Sequence, residues 1–238
     1  MSAYGAIVRS AAASASDASA NPLPATFWDI PRSSGAHVTV HHLTVSTVKS
    51  LSGLIEYLGA VMAKEIEDGM TYPQETMTPD AFEAYFFSGD VFLAIIHPGA
   101  IGGSEGSETD LTIENARQER AWEECIAGFY YVKPNYPGRS SHICNGGFVV
   151  PPNHRGSGYG SALAKSYVHY APKLGYQASV FNLVYTNNSA SVKLWEGLNF
   201  KKAGLIPKAG RLRRKDGNGE EYVDAWVFYK SFVDDGLA

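Results

Sequence analysis

Three glycines at alternate positions, Gly156, Gly158 and Gly160, stand in the run Arg155-Gly-Ser-Gly-Tyr-Gly160, between a strand-like stretch ending at Val150 and a helix-like stretch that begins inside the run. A turn this rich in glycine lets backbone amides approach a ligand that side chains would hold off. The first amides of the following helix lack intrahelical partners, and the helix dipole gives that end partial positive charge. The arrangement suits a pyrophosphate, with Arg155 as a charged donor at its mouth. Spacing excludes two other phosphate motifs. A P-loop needs Lys-Ser or Lys-Thr after its last glycine, where this chain has Ser161-Ala162. A dinucleotide fingerprint needs Gly-x-Gly-x-x-Gly and an acid at the end of the next strand, and the stretch Ala178–Thr186 contains none.

The pattern on either side of the run predicts a mixed α/β fold. An alternating strand is expected at His37–Leu43, followed by an amphipathic helix through Leu51, Leu54, Ile55, Leu58, Val61 and Met62 that ends before Gly69. Thr78-Pro79-Asp80 starts a second helix, and Val91–His97 is an apolar strand. Residues 98–122, rich in glycine and polar groups, read as a long surface insertion. Strands follow at Ile126–Lys133 and His142–Val150, then a helix from Gly158, a strand at Ala178–Thr186, a helix at Ser189–Leu198 and strands near Phe200–Ile206 and Tyr222–Tyr229. The order β-α-α-β-β-β-α-β-α-β-β implies one central sheet with flanking helices.

Composition narrows the function classes. The formal charge of −4 gives no general attraction to nucleic acid or anionic lipid, and no apolar run reaches the roughly 20 residues of a membrane span. Two cysteines are too few for a disulfide framework and point to a reducing compartment. The Ser- and Ala-rich start lacks the apolar stretch of a secretory signal and the arginines of a mitochondrial presequence, so a cytoplasmic protein is expected, with mitochondrial import as the lesser alternative. Residues 1–36 are assigned to a mobile extension and 37–232 to a single domain. No Cys/His/Asp spacing suggests a metal site.

Arg155-x-x-Gly158-x-Gly160 resembles the Arg/Gln-x-x-Gly-x-Gly/Ala signature of GNAT acetyltransferases. Asn188-Ser-Ala-Ser191-Val-Lys-Leu194-Trp195-Glu-Gly-Leu-Asn-Phe200 is similar to that family's next hallmark, Asn-x-x-Ala-x-x-Leu-Tyr-x-x-x-Gly-Phe. The resemblance implies a GNAT fold whose two middle strands splay apart, with acetyl-CoA as co-substrate. It also implies cofactor contacts at Val149, Val150, Arg155, Gly156, Ser157, Gly158, Tyr159, Gly160, Asn188 and Trp195. The segments Glu67-Asp-Gly-Met-Thr-Tyr-Pro-Gln74, Gly128-Phe-Tyr-Tyr-Val-Lys-Pro-Asn-Tyr136, Cys144-Asn-Gly-Gly-Phe148 and Phe181-Asn-Leu-Val184 further resemble the fungal acetyltransferases that detoxify L-azetidine-2-carboxylate, a proline analogue. That likeness implies a small amino-acid-like acceptor, a homodimer, and Asn145, Asn182 and Asn188 as substrate-site residues, the first two catalytic.

Strand alternation puts Asn145 on one face with Ile143, Gly147 and Val149, where the missing side chain of Gly147 is expected to leave room for a ligand. Asn182 shares a face with Val180 and Val184. A buried amide needs partners, which here are either protein groups across the splay or the acceptor and the developing oxyanion. Asn188 stands equally where a helix N-cap belongs. Tyr72 and Phe148 are expected to line the acceptor pocket. Trp195 occupies the position of the family's tyrosine, and an indole is a donor without usable acidity. Either another hydroxyl, Tyr185, Ser189 or Ser191, protonates the thiolate, or it leaves unassisted. Glu65, Glu67 and Asp68 are candidate bases or a solvated helix end, and His142 and His154 read as surface residues. A polyamine or aminoglycoside acetyltransferase, a protein-lysine acetyltransferase and a non-catalytic acyl-CoA binder are the alternatives.

Overall fold

The computed structural model describes residues 22–30, 36–97 and 103–233. Its strands are β1 (Ala25–Asp29), β2 (His37–Leu43), β3 (Asp90–His97), β4 (Glu108–Thr109), β5 (Ile126–Pro134), β6 (Ile143–Val149), β7 (Ala178–Tyr185), β8 (Lys201–Arg213) and β9 (Glu220–Ser231). The helices are α1 (Val45–Ser50), α2 (Leu54–Asp68), α3 (Pro79–Phe86), α4 (Ile113–Arg117), α5 (Trp122–Cys125), α6 (Tyr159–Lys173) and α7 (Ser189–Gly197). The strands form one sheet in the order β4-β1-β2-β3-β5-β6-β7-β9-β8. Every described pairing is antiparallel except β6 with β7.

Alternation along β5 shows how the sheet is covered. Tyr130 and Val132 join the core under α6, with Phe92, Cys144, Tyr167, Tyr170 and Phe181. Phe129 and Tyr131 face the opposite core, built by Leu58 and Met62 of α2 and Phe82 and Phe86 of α3. Each such fully buried apolar side chain contributes about 1.5–3 kcal/mol relative to exposure.

The parallel pair that splays is the feature that positions the site. β6 and β7 are in register only at Ile143 with Ala178 and Cys144 with Ser179, then separate. On the α6 side the vertex is pinned by Tyr167, which is fully buried and whose hydroxyl lies 2.7 Å from Ser179 Oγ and 3.1 Å from Cys144 Sγ.

Four expectations are corrected. The domain starts upstream of His37, because β1 pairs with β2 and buries Thr26, Phe27 and Trp28; Thr26 Oγ1 accepts from Trp28 Nε1 at 2.7 Å and meets Tyr170 Oη at 2.9 Å. The extension assigned to 1–36 therefore contains a sheet strand, and residues 1–21 lie outside the described residues. The helix expected from Leu51 begins at Leu54, after Gly53 at φ 75°, and a helix that was not expected, α1, precedes it and ends before Leu51, whose backbone is extended. Within the expected insertion, 103–122 carries β4, α4 and the start of α5. These are held by buried Ile113, Ala116 and Trp122, whose indole donates to Ser52 O at 2.9 Å. Finally, β8 runs on to Arg213 because a bulge between Ile206 and Gly210 resets its register with β9.

Tyr167→Phe keeps the ring and removes the hydroxyl that ties the vertex. Loss of that buried hydrogen bond is expected to lower the unfolding free energy by about 1–3 kcal/mol in urea titrations.

Candidate active site

The glycine run forms the open end of α6. Gly158 is its N-cap at φ 97°, in the left-handed region that favours glycine, and no side chain caps the helix. Gly156 also has positive φ, at 80°, and a Cβ at Gly156 or Gly160 would meet nothing within 4 Å. Uncapped helix amides beside open backbone fit a pyrophosphate of acetyl-CoA. Tyr159 is buried as the first residue of the helix, while Ser157 stays in the turn. Arg155 does not stand alone. Its Nε donates to Val150 O at 3.2 Å and its Nη2 pairs with Glu65 Oε2, whose other oxygen accepts from Thr71 Oγ1. Glu65 is thus neither a solvated helix end nor a free base, whereas Glu67 and Asp68 pair with Lys64 at 2.9 and 3.1 Å.

On the face of the splay away from α6 sits a cluster of three amides. Asn135 Oδ1 accepts from Asn145 Nδ2 at 2.7 Å and from Asn182 Nδ2 at 2.6 Å, and Asn135 Nδ2 returns a bond to Asn182 Oδ1 at 3.1 Å. The protein partners expected for Asn145 and Asn182 are therefore each supplied by Asn135. This residue sits at the end of β5, is 6% exposed, and is held by its own N–H to Ile143 O at 2.8 Å. Asn145 Oδ1 accepts no hydrogen bond among the described residues and remains available to a ligand. Asn188 is the N-cap of α7, its side chain accepting from Ser191 N at 3.1 Å, and it does not join the amide cluster.

The space beside Gly147 is filled by protein. A Cβ there would come 2.5 Å from Tyr131 Cε1, so this glycine admits a tyrosine ring rather than a ligand. Tyr131 Oη meets Tyr85 Oη at 2.8 Å, and Lys133 Nζ lies 3.8 Å from the Tyr85 ring centroid and 4.1 Å from that of Tyr131. Lys133 pairs in register with Asn145, so the two side chains leave the same face of the sheet. Burial lowers the Lys133 amine to about 8. Sequence reasoning missed both Asn135 and Lys133. The signal was the stretch Lys133-Pro-Asn-Tyr136, whose polar residues gain meaning only once β5 is paired with β6.

Tyr72 reaches this region from the loop after α2 and donates from Oη to Phe148 O at 3.2 Å, a carbonyl on the splayed part of β6. Phe148 offers that carbonyl and not its ring, which packs against Tyr130, Tyr167, Phe181 and Trp195 on the α6 side. The Val149 side chain is likewise buried, on the α2 side. Trp195 is 4% exposed, walled by Phe148, Phe181 and Phe200, with its indole N–H donating to Ser191 Oγ at 3.1 Å. His142 and His154 bond to the carbonyls of Arg139 and Glu123 at the surface.

Comparison with known proteins follows the same geometry. Residues 108–200 match the family model of the acetyltransferase (GNAT) family. The N-acetyltransferase aca1 of Schizosaccharomyces pombe is 42% identical over 188 residues, covering 79% of this chain and 84% of that protein. Protein SPT10 of Saccharomyces cerevisiae is 31% identical over 206 residues, which span 76% of this chain but only 32% of that longer protein. Among solved structures, a GCN5-related N-acetyltransferase from Kribbella flavida superposes with a TM-score of 0.61 at 20% identity, covering 82% of this chain and 97% of that one. A GNAT superfamily phosphinothricin acetyltransferase from Sinorhizobium meliloti, in complex with acetyl-CoA, gives 0.58 at 16% identity, with 84% and 90% covered.

Two outcomes test this geometry. Asn135→Ala removes the acceptor shared by Nδ2 of half-buried Asn145 and exposed Asn182, and is expected to cost about 0.5–1.5 kcal/mol in stability. Acceptor kcat/KM should fall while the acetyl-CoA Kd holds. The second concerns Lys133, whose folded value of about 8 lies below its unfolded 10.5. Between those values the unfolded chain keeps the proton that the folded chain has released, so unfolding free energy should rise with pH across about 8 to 10.5. Below that window the penalty for charging the buried amine is complete and constant. Denaturant titrations of wild type and Lys133→Met over this range should diverge, with the pH-dependent rise smaller in the variant.

Proposed function

The chain belongs to the acetyltransferase (GNAT) family and is an acetyl-CoA-dependent N-acetyltransferase; from that premise we propose that its acceptor is a small amino-acid-like amine, a cyclic secondary amino acid such as L-azetidine-2-carboxylate or another proline analogue. The observation that supports this acceptor is the amide cluster of Asn135, Asn145 and Asn182 at the open side of the splay. Neutral amides bind both a carboxylate, through N–H, and an amine, through C=O, without the net charge that would favour a polycation.

Acetyl-CoA supplies the activated acyl group, with its pyrophosphate on the Gly156–Gly160 turn and its thioester directed into the splay between β6 and β7. The acceptor nitrogen gives up a proton and bonds to the acyl carbon, the C–S bond breaks, and the sulfur takes a proton. Asn145 is placed to orient the acceptor or to donate to the oxyanion as it forms. Trp195, with its indole satisfied and out of reach of solvent, is given no part in the proton transfers.

We also propose a homodimer. β8 lies at one end of the sheet and is exposed along most of its length. Leu205 and Ile206 on it, and Tyr222 on β9, are 44%, 40% and 64% exposed, an apolar edge suited to a second copy. Sedimentation equilibrium reads this state directly. The two cysteines are buried and form no disulfide, which suits our placement of the protein in the cytoplasm.

A thiol-release assay with acetyl-CoA and a set of amines tests the acceptor. The expected order of kcat/KM is L-azetidine-2-carboxylate well above spermidine and a lysine peptide. A lysine peptide or spermidine turned over faster would move the chain to a different acceptor class.

A further inference from the structure

Acetyl transfer to an amine needs a group that takes up a proton, and the amide cluster does not provide one. An amine acceptor is an ammonium at neutral pH, and two protons leave its nitrogen before the amide product is complete. Asn135, Asn145 and Asn182 are neutral and do not titrate. Burial raises the phenols of Tyr72 and Tyr131 well above the usual tyrosine value, so both stay protonated. Glu65 has one oxygen on Arg155 and the other on Thr71, while Glu67 and Asp68 are held by Lys64.

Lys133 differs from all of these. Its register partner across the β5–β6 ladder is Asn145, and Asn135 follows two residues later on the same face. Cβ atoms of such partners lie about 4.5–5.5 Å apart, and the flexible four-carbon stem of a lysine is long enough to span that gap. A ligand nitrogen held at Asn145 Oδ1, the amide oxygen that accepts no bond among the described residues, is therefore within the amine's range.

The surroundings of the amine suit a proton acceptor. Nζ donates to Tyr85 O at 3.2 Å and lies over the rings of Tyr85 and Tyr131. It makes no ion pair among the described residues. Acids on the neighbouring elements are engaged elsewhere: Glu83 of α3 with Lys49 at 2.6 Å, Asp90 of β3 with His42 at 3.2 Å, and Glu65 of α2 with Arg155. Asp80 is exposed in the first turn of α3. With no carboxylate to hold its charge, burial sets the amine at about 8, where the neutral form is accessible. The two rings and the Tyr85 carbonyl then stabilise the ammonium that forms when a proton arrives. Gly89 closes the outer side, since a Cβ there would come 2.7 Å from Lys133 Cβ, and the turn before β3 lies against the lysine stem.

We infer that Lys133 is the base of the reaction, taking the proton that the acceptor nitrogen gives up to attack acetyl-CoA. This rests on the reading of the chain as a small-amine acetyltransferase whose acceptor meets Asn145. The acceptor ammonium loses one proton to Nζ, and the lone pair so freed bonds to the acyl carbon. The carbonyl electrons move to oxygen and return as the C–S bond breaks, its electron pair leaving on sulfur. The nitrogen loses its second proton to solvent and the sulfur takes one up, giving the amide and the free thiol. Lys133 then releases its proton to solvent, so one proton is produced per turnover.

The test uses the full chain with Lys133→Met, which removes the amine, and Lys133→Arg, which keeps the charge but does not give up a proton. Acetyl-CoA and L-azetidine-2-carboxylate are the substrates, and kcat is measured across pH. Above pH about 8 each variant should lose about 10²–10⁴ in kcat, the ordinary worth of a general base, with the acetyl-CoA Kd by calorimetry unchanged. Below about 8 the wild-type base is protonated, so the ratio of wild-type to variant kcat should shrink by about tenfold per pH unit. A ratio that stays constant with pH makes the loss structural and overturns the assignment. So does a folded Lys133→Arg protein that keeps kcat within about threefold of wild type, because its guanidinium supplies charge alone. A raised acceptor KM with kcat intact in Lys133→Met makes the lysine a partner of the acceptor carboxylate, and overturns it as well. If wild type does not turn over L-azetidine-2-carboxylate, the proposed acceptor class fails. The same ratio, measured with the best amine of the thiol-release set, then still decides the role of Lys133.

Discussion

Two parallel strands that part after only two residue pairs leave a problem that the rest of this structure solves. Past Cys144 and Ser179 the facing edges of β6 and β7 lose their ladder, and backbone groups that strands would normally satisfy must find other partners or face a ligand. The vertex is held by side chains on both faces. Tyr167 reaches Cys144 and Ser179 from α6, and Asn135 reaches Asn145 and Asn182 from the opposite side. Because neither clamp uses the strands' own edges, the cleft stays open while its geometry is fixed. The aromatic packing of Phe148 against Tyr130, Tyr167 and Phe181 stiffens the same β6 segment from behind.

The two ends of that cleft are joined by a short chain of contacts. Arg155, at the mouth of the glycine turn, pairs with Glu65 on α2, and Glu65 accepts from Thr71 in the loop that carries Tyr72 and Gln74. The residues expected to meet the pyrophosphate are thus tied to the loop whose Tyr72 bonds to Phe148 O on the splayed part of β6.

How much of this was legible in the sequence depended on how local each feature is. The glycine turn, the Thr78 cap of α3, the Gly69 stop and the Asn188 cap are set by residues within a few positions, and the structure has them where the pattern puts them. Several of the misses are cross-strand. Gly147 read as space until Tyr131, on the neighbouring strand, was seen to fill it. Asn135 lies just beyond the strand expected at Ile126–Lys133, and only the pairing of β5 with β6 carries it to the splay. The β1 strand was hidden next to a Ser- and Ala-rich N-terminal stretch because its five residues show little periodicity, and what stabilises it is partnership with β2 and Tyr170. The bulge in β8 leaves no local signature beyond Pro207 and Gly210, yet it places Gly210 over Tyr185.

Trp195 shows how a change at a chemical position can be absorbed by packing. A phenol there would need its hydroxyl solvated or bonded. The larger indole instead fills the space between Phe148, Phe181 and Phe200 and satisfies its N–H four residues back, at Ser191 on the same helix. The side chain becomes part of the wall that supports the cleft and leaves the proton inventory altogether. Protonation of the leaving sulfur must then come from another group or from water. CoA thiolate is a comparatively stable anion, so a site that aligns the nucleophile and stabilises the oxyanion can dispense with a dedicated acid at this position. What the chain retains at the splay is consistent with that division of labour: neutral amides to orient and donate, and a tightly packed aromatic wall to keep them aligned.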